Sequence, residues 1–282
     1  MSTGIISINL IWFPLFNLLL CCTSSVGQTI SVEFVEAPVI YPVGAYGVSK
    51  GVFAPVTKKL NRDSIQAIIL NELNKYPKGV LETKARLSQI ILSDTIFVSD
   101  ENGEFTKPAL GTYFVPAVEG NIVFLKATAK LLPAILHHEI SSVFLCELAT
   151  TDTLFNERTN RIFEHFAFVT PYFYKDTAIY NGIVKTKRWP DNKNNFYVLC
   201  NDGYALVDME NDFNEIVKCL FHPKLLKANK ALLVDPNLKL WDFLDEARRD
   251  KYEVYKKVMM VVDYYNAIHP NFTLDYFKNI EK

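Results

Sequence analysis

The chain has 282 residues, 49% hydrophobic and 22% charged, with 30 basic against 31 acidic side chains and a formal net charge of −1 at pH 7. This composition suits a globular protein long enough for a sizeable core, and its balanced charge gives no electrostatic case for a nucleic-acid or other polyanion partner. Of five cysteines, Cys21 and Cys22 end an apolar N-terminal stretch; Cys146, Cys200 and Cys219 lack metal-ribbon spacing and allow at most one bridge between them.

The run from Ile5 to Cys22 is almost wholly apolar, and no charged side chain precedes Glu33. Interrupted by Asn9, Pro14 and Asn17 and followed by Thr23-Ser24-Ser25-Val26-Gly27, it predicts a cleavable leader over 1–27 rather than a spanning helix, although Met1-Ser2-Thr3-Gly4 lacks the usual basic start. Leu18-Leu19-Leu20-Cys21-Cys22 loosely resembles a bacterial lipobox, with Leu20 or Cys21 where a small residue is usual, while Ser25-Val26-Gly27 suits ordinary cleavage before Gln28. The mature protein is therefore expected to begin near Cys21, Cys22 or Gln28 and to be periplasmic or an outer-membrane lipoprotein. It would meet a membrane only through its leader or a lipid anchor.

Residues 28–57 mix β-branched and aromatic side chains with Pro38, Pro42, Gly44, Gly47 and Gly51, which predicts an extended lead-in. Asp63-Ser64 then opens a helical apolar spacing through Leu73, ended by Pro77 and Gly79. Strands are predicted at 89–98 and 121–126, separated by Asp100-Glu101-Asn102-Gly103 and a loop around Gly111 and Pro116, and paired in a small sheet. Beyond Lys130, helical runs cover 133–148, 153–166, 209–221, 238–245 and 249–267, with no internal repeat. The expectation is an α+β fold in one domain over 28–282, a small sheet in 28–130 preceding a mostly helical body in 131–282.

The chemistry concentrates in 132–147, LPAILHHEISSVFLCE, where Pro133 is well placed at a helix start. With 3.6 residues per turn, Leu136, Ile140, Val143 and Phe144 share one face, while Ile135, His138, Glu139, Ser142 and Cys146 gather on the other. An unpaired charge in an interior is expensive, so His138 and Glu139 need a partner there. A metal is one: His-Glu-x-x-His presents two imidazoles at i and i+4 to a single ion, and the glutamate activates bound water. Here Ser142 holds the second position. On spacing alone, a satisfied core histidine with Glu139 paired to an arginine is favoured.

His137-His138-Glu139-Ile140-Ser141-Ser142, Gly203-Tyr204-Ala205 and Asn211-Asp212-Phe213-Asn214-Glu215 follow in an order and spacing that resembles the zinc-binding metallopeptidase lipoproteins of Bacteroidetes. Those belong to the gluzincin group that includes the anthrax lethal factor-like peptidases. The likeness spans 132–221, and the cysteine-bearing leader and a long helix over 249–269 also fit. It implies a zincin-like body with His138 as a zinc ligand, Glu139 as general base and Tyr204 as stabiliser of the tetrahedral oxyanion. Ser142 stands where that family has its second histidine and Asn211 where it has an acidic ligand, while Glu215 matches an acid that supports a ligand from behind. Serine and asparagine are poor zinc ligands beside imidazole and carboxylate.

Three readings stay open. One is a hydrolase of peptide or protein substrates, with zinc held by His138 and substitutes among His137, Asp212, Glu215 and Cys146. Another is a metal-free pseudo-peptidase whose groove holds a peptide or glycan for an outer-membrane uptake system. The third is a purely structural His-Glu pair. Outside this segment, His165 sits at a helix end, where the helix dipole accounts for it, and His222-Pro223 and His269-Pro270 read as cap or loop residues. The mixed-sign run 245–251 reads as solvated surface. Tyr172-Phe173-Tyr174, Tyr180, Trp189, Phe196 and Tyr197 read first as core, with sugar stacking or peptide contact as the alternative. No Gly-x-Ser-x-Gly elbow or phosphate loop is present.

Overall fold

The computed structural model describes residues 30–57, 60–99, 103, 105–170, 205, 207–223, 240–242, 244–245 and 252–280. The leader, Tyr204, Cys200 and the aromatic group from Tyr172 to Tyr197 lie outside the described residues. The fold is α+β, but its sheet is far larger than the two expected strands. Among the described residues, eight strands form it: β1 (Ser31–Phe34), β2 (Val39–Ala45), β3 (Ser49–Ala54), β4 (Leu87–Ser93), β5 (Thr95–Ser99), β6 (Phe105–Ala109), β7 (Gly111–Val115) and β8 (Asn121–Lys126). They run in the order β1-β4-β8-β7-β2-β3-β5-β6. Pairing is mixed: β1, β4 and β8 are parallel, β7 is antiparallel to β8, and the β2-β3-β5-β6 succession is antiparallel.

The lead-in becomes three strands because its glycines are turn residues rather than breakers. Tyr46 and Gly47 adopt positive φ (56° and 69°) and close the β2–β3 hairpin. Pro42 is tolerated because β2 pairs with β7 only at Gly44 and Ala45, so among the described residues Pro42 has a strand on one side alone. The single strand expected at 89–98 splits at Asp94. There the buried Ser93 hydroxyl donates to the carbonyls of Ala54 (2.7 Å) and Thr95 (2.8 Å), a local bond that competes with the ladder and turns the chain. The loop expected around Gly111 is instead the start of β7.

Both faces of the central strands are covered. Ile90, Leu92, Val123 and Leu125 point into the main core with Leu136, Ile140, Val143 and Phe144, while Ile91 and Phe124 point the other way, onto Val43, Phe53 and Ile96. Phe53 stacks on Phe124 at 4.4 Å between ring centroids, so the β3–β5 part of the sheet folds back over β4 and β8. Strands buried on both faces read as continuous apolar runs, which is how 121–126 reads.

The helices are α1 (Arg62–Leu73), a single turn α2 (Val80–Thr83), α3 (Leu132–Thr151), α4 (Thr153–Val169), α5 (Met209–Phe221), α6 (Tyr252–Ile268) and α7 (Leu274–Asn279). Asn61 caps α1 by accepting from Ser64 N–H (3.0 Å), Asp152 caps α4 from Leu154 N–H (2.9 Å), and Asp208 caps α5 from Asn211 N–H (2.8 Å). Of the helix expected at 238–245, the described residues 240–242 and 244–245 are helical. α3 runs between the sheet, at β7 and β8, and the helices α1, α4 and α5. It is therefore buried on nearly every side rather than along one stripe. Among the described residues, no helix is long and apolar enough to cross a membrane.

Candidate functional site

Successive residues on a helix diverge by about 100°, so His137, His138 and Glu139 serve different sides of α3. His138 and Glu139 face β7 and α5. With Ile135 they line a cavity of about 340 Å³ completed by Pro108, Ala109, Leu110 and Gly111 at the β6–β7 corner and by Glu215 and Lys218 of α5. β7 passes directly over the Glu139 carboxyl: a Cβ added at Gly111 would lie 2.6 Å from Glu139 Oε1. Any larger residue there would force the Glu139 side chain to shift.

His138 bonds through Nδ1 to Glu215 Oε1 (3.1 Å), and Glu215 is also ion-paired with Lys218. Burial disfavours the His138 imidazolium, but the Glu215 hydrogen bond and the charges of Glu139 and Glu215 outweigh it and raise its pKa. Burial likewise works against the Glu215 carboxylate, yet His138 and Lys218 hold its pKa below the ordinary value. For Glu139 burial wins over the attraction of His138, and with repulsion from Glu210 and Glu215 it pushes the carboxyl up to about 7. Among the described residues, no arginine ion pair to Glu139 of the kind expected is seen; Arg86, for one, pairs with Glu147 at 3.1 Å.

The remaining sequence candidates fall into separate places. Ser142 accepts from Asn214 Nδ2 (2.8 Å) and is hydrogen-bonded to Glu210, whose carboxyl is raised by burial. Asn211 donates its amide to both oxygens of Asp208 (3.0 and 2.9 Å) and so belongs to the α5 cap. Asp212 is wholly buried against Lys257 (2.5 Å to Nζ), whose ammonium also meets Thr170 and lies 4.6 Å from the Phe166 ring centre. Cys146 is a free, half-buried thiol pushed up to about 11 by burial and by Glu210 and Glu147. His165 faces Glu253 of α6 (3.2 Å), and His269 accepts from Asn271 N–H (3.2 Å) as a cap. Tyr204 lies outside the described residues.

Zinc sites with tetrahedral geometry need three or four donors about 2.0 to 2.3 Å from one point, drawn from imidazole, carboxylate and thiolate. Around His138 the donor set does not fit that demand. Ser142 and Asn211 are weak donors already bonded to neighbours, Glu215 is held against the wrong imidazole nitrogen for sharing an ion with Nε2, and the Lys218 ammonium is part of the wall.

His137 faces the opposite way. Its Nε2 lies 2.8 Å from Glu72 Oε2 of α1, and His222 Nε2, at the C-cap of α5, lies 3.0 Å from the same oxygen. Tyr76 OH bonds His137 Nδ1 at 2.8 Å, and Phe221 stacks on the ring at 4.1 Å and 8°. Burial pushes the His137 pKa down to about 4, against the pull of Glu72. Burial alone would raise Glu72, but His137, His222 and Lys75 hold it well below the usual carboxylate range. Among the described residues, this is the group of three whose ligand atoms lie within 4.8 Å of one another, and it is compatible with a metal ion. Sequence reading found His137 and saw His222 only as a cap; Glu72 gave no signal, because no local spacing links residues 65 and 150 positions apart. Compared with protein-family models, with curated proteins and with solved structures, the chain matches none.

Proposed function

We propose that this is an exported peptide-binding protein whose groove has the build of a metallopeptidase cleft but holds its ligand without cleaving it. The observation that carries this reading is the donor set around His138. Ser142 and Asn211, the positions that would complete a metal set, are committed to Asn214 and Asp208, and Lys218 stands in the wall where its charge opposes a cation. The ligand class follows from β7. Among the described residues, β8 pairs with Gly111–Phe114 on one side, while β2 reaches β7 only at Phe114 and Val115. Gly111 thus borders the cavity, and among the described residues the Gly111–Tyr113 backbone that continues from it has a strand on one side only, the arrangement that accepts an extended peptide by strand addition. Export rests on the leader and is supported by Cys219, which is disulfide-bonded, as suits an oxidising compartment.

One specific feature favours a second reading, a zinc-assisted amide hydrolase. Glu215 holds His138 through Nδ1, the way carboxylates orient metal-bound histidines, and a Glu139 carboxyl at about 7 is suited to proton transfer at neutral pH. The test is to incubate the purified protein with a library of end-capped hexapeptides and analyse both retained and free fractions by mass spectrometry, with and without EDTA. Intact peptides retained by wild type in either buffer and lost by Gly111→Val are expected. EDTA-sensitive cleavage products would establish the hydrolase instead, and no retention at all would remove the peptide assignment.

A further inference from the structure

We infer that Glu72, His137 and His222 form a binding site for a divalent transition metal, zinc being the ion best matched by two imidazoles and one carboxylate, distinct from the His138 groove. The three residues come from α1, α3 and the end of α5, so nothing local brings them together. Their convergence is a property of the packed structure. Three donors, two imidazole nitrogens and the Lys75 ammonium, crowd onto the single oxygen Oε2 of Glu72 at 2.8, 3.0 and 2.8 Å. One ion in place of the two imidazole protons makes the nitrogens and the carboxylate ligands, with only small shifts of side chains already aimed at a common point.

The surroundings supply what such a ligand needs. His137 is fully buried and its plane is fixed by stacking on Phe221, while Tyr76 OH bonds the ring nitrogen facing away from Glu72. A hydroxyl can accept Nδ1–H when Nε2 holds a metal, which is the orienting contact that metal-bound histidines regularly make. Lys75, in contact with Glu72, is an opposing charge. It is partly exposed, and its Nζ already reaches the Phe221 carbonyl at 3.4 Å, so it can keep that contact while yielding Glu72. Bound metal would fasten the C-terminal end of α1 to α3 and α5. A bare hydrogen-bonded triad is the competing account.

The experiment uses the purified protein, stripped with chelator, dialysed, and reloaded with zinc sulfate. Zinc content is measured by elemental analysis and the thermal midpoint by circular dichroism, for wild type, His222→Ala, Glu72→Gln and His138→Ala. His222 and Glu72 are partly exposed, so these variants stay folded more readily than one at His137. The expectation is close to one zinc per chain and a raised midpoint in wild type and His138→Ala. In His222→Ala and Glu72→Gln, each of which removes one of the three ligands, the zinc content should fall well below one per chain and the shift disappear. Wild type that takes up no zinc and shows no midpoint shift would overturn the site, leaving the silent groove untouched. Zinc lost in His138→Ala but kept in His222→Ala would overturn both this site and the metal-free groove.

Discussion

Glu139 shows how one carboxyl can carry a site's pH dependence. Its pKa is raised on folding from 4.5 to about 7, so the folded chain binds a proton that the unfolded chain releases between these values. Stability from this residue is therefore fully present below about pH 4.5 and declines as the pH rises to about 7. Glu139→Gln removes that decline. We predict that urea unfolding gives the variant a stability gain over wild type at pH 8, up to about 3 kcal/mol, relative to their difference at pH 4.5. A pH-independent difference would show that Glu139 titrates normally. The placement of Glu139 was legible in sequence in part: of the stripe Ile135, His138, Glu139, Ser142 and Cys146 that follows from helical period, the first three line the cavity. Its neighbours Glu210 and Gly111 were not, because they arrive from other elements.

At the scale of elements, the buried pair Asp212–Lys257 ties α5 to α6, with Phe166 and Thr170 bringing in the end of α4. Burial lowers the Lys257 pKa and Asp212 opposes that shift. Removing the carboxylate leaves an ammonium in an apolar interior, so Asp212→Ala should destabilise by about 3–5 kcal/mol, measured by chemical denaturation. Asp212→Ala with Lys257→Met, which removes both charges, should recover most of that loss; no recovery would mean that the pair matters only by its packing. Helices were the readable elements. α5 begins and ends at 209 and 221 as its periodicity indicates, and α4 begins at Thr153 just after its Asp152 cap. Strands were less readable, because a strand exists only by pairing with distant segments. The run at 89–98 gives no local sign that β4 joins β1 and β8 whereas β5 crosses to β3 and β6.

For the whole molecule, the sheet separates a large helical core from a smaller cluster on its back, and the two meet through β4 and β8. Phe124 is central to the back cluster, wholly buried between Phe53 and Tyr41. Phe124→Ala should cost about 3–5 kcal/mol. It should also move the unfolding transitions reported by far-ultraviolet circular dichroism and by tyrosine fluorescence together, since one set of strands carries both clusters. Two separated transitions would show that the back layer unfolds by itself. The same layering lets neighbours His137 and His138 work apart, one toward α1 and the other toward β7 and α5.

By itself the sequence determined an α+β content, most of the helix boundaries and the pocket-facing stripe of α3, all of which depend on period, caps and turn residues within a few positions. Only the tertiary structure decided that the lead-in enters an eight-stranded sheet, that Ser142 and Asn211 are bonded away from His138, and that Glu72 and His222 converge on His137. The reason is physical. Local patterns fix which way a side chain leaves its own helix or strand, whereas a site is made where side chains of distant segments meet, and that is set by how the segments pack.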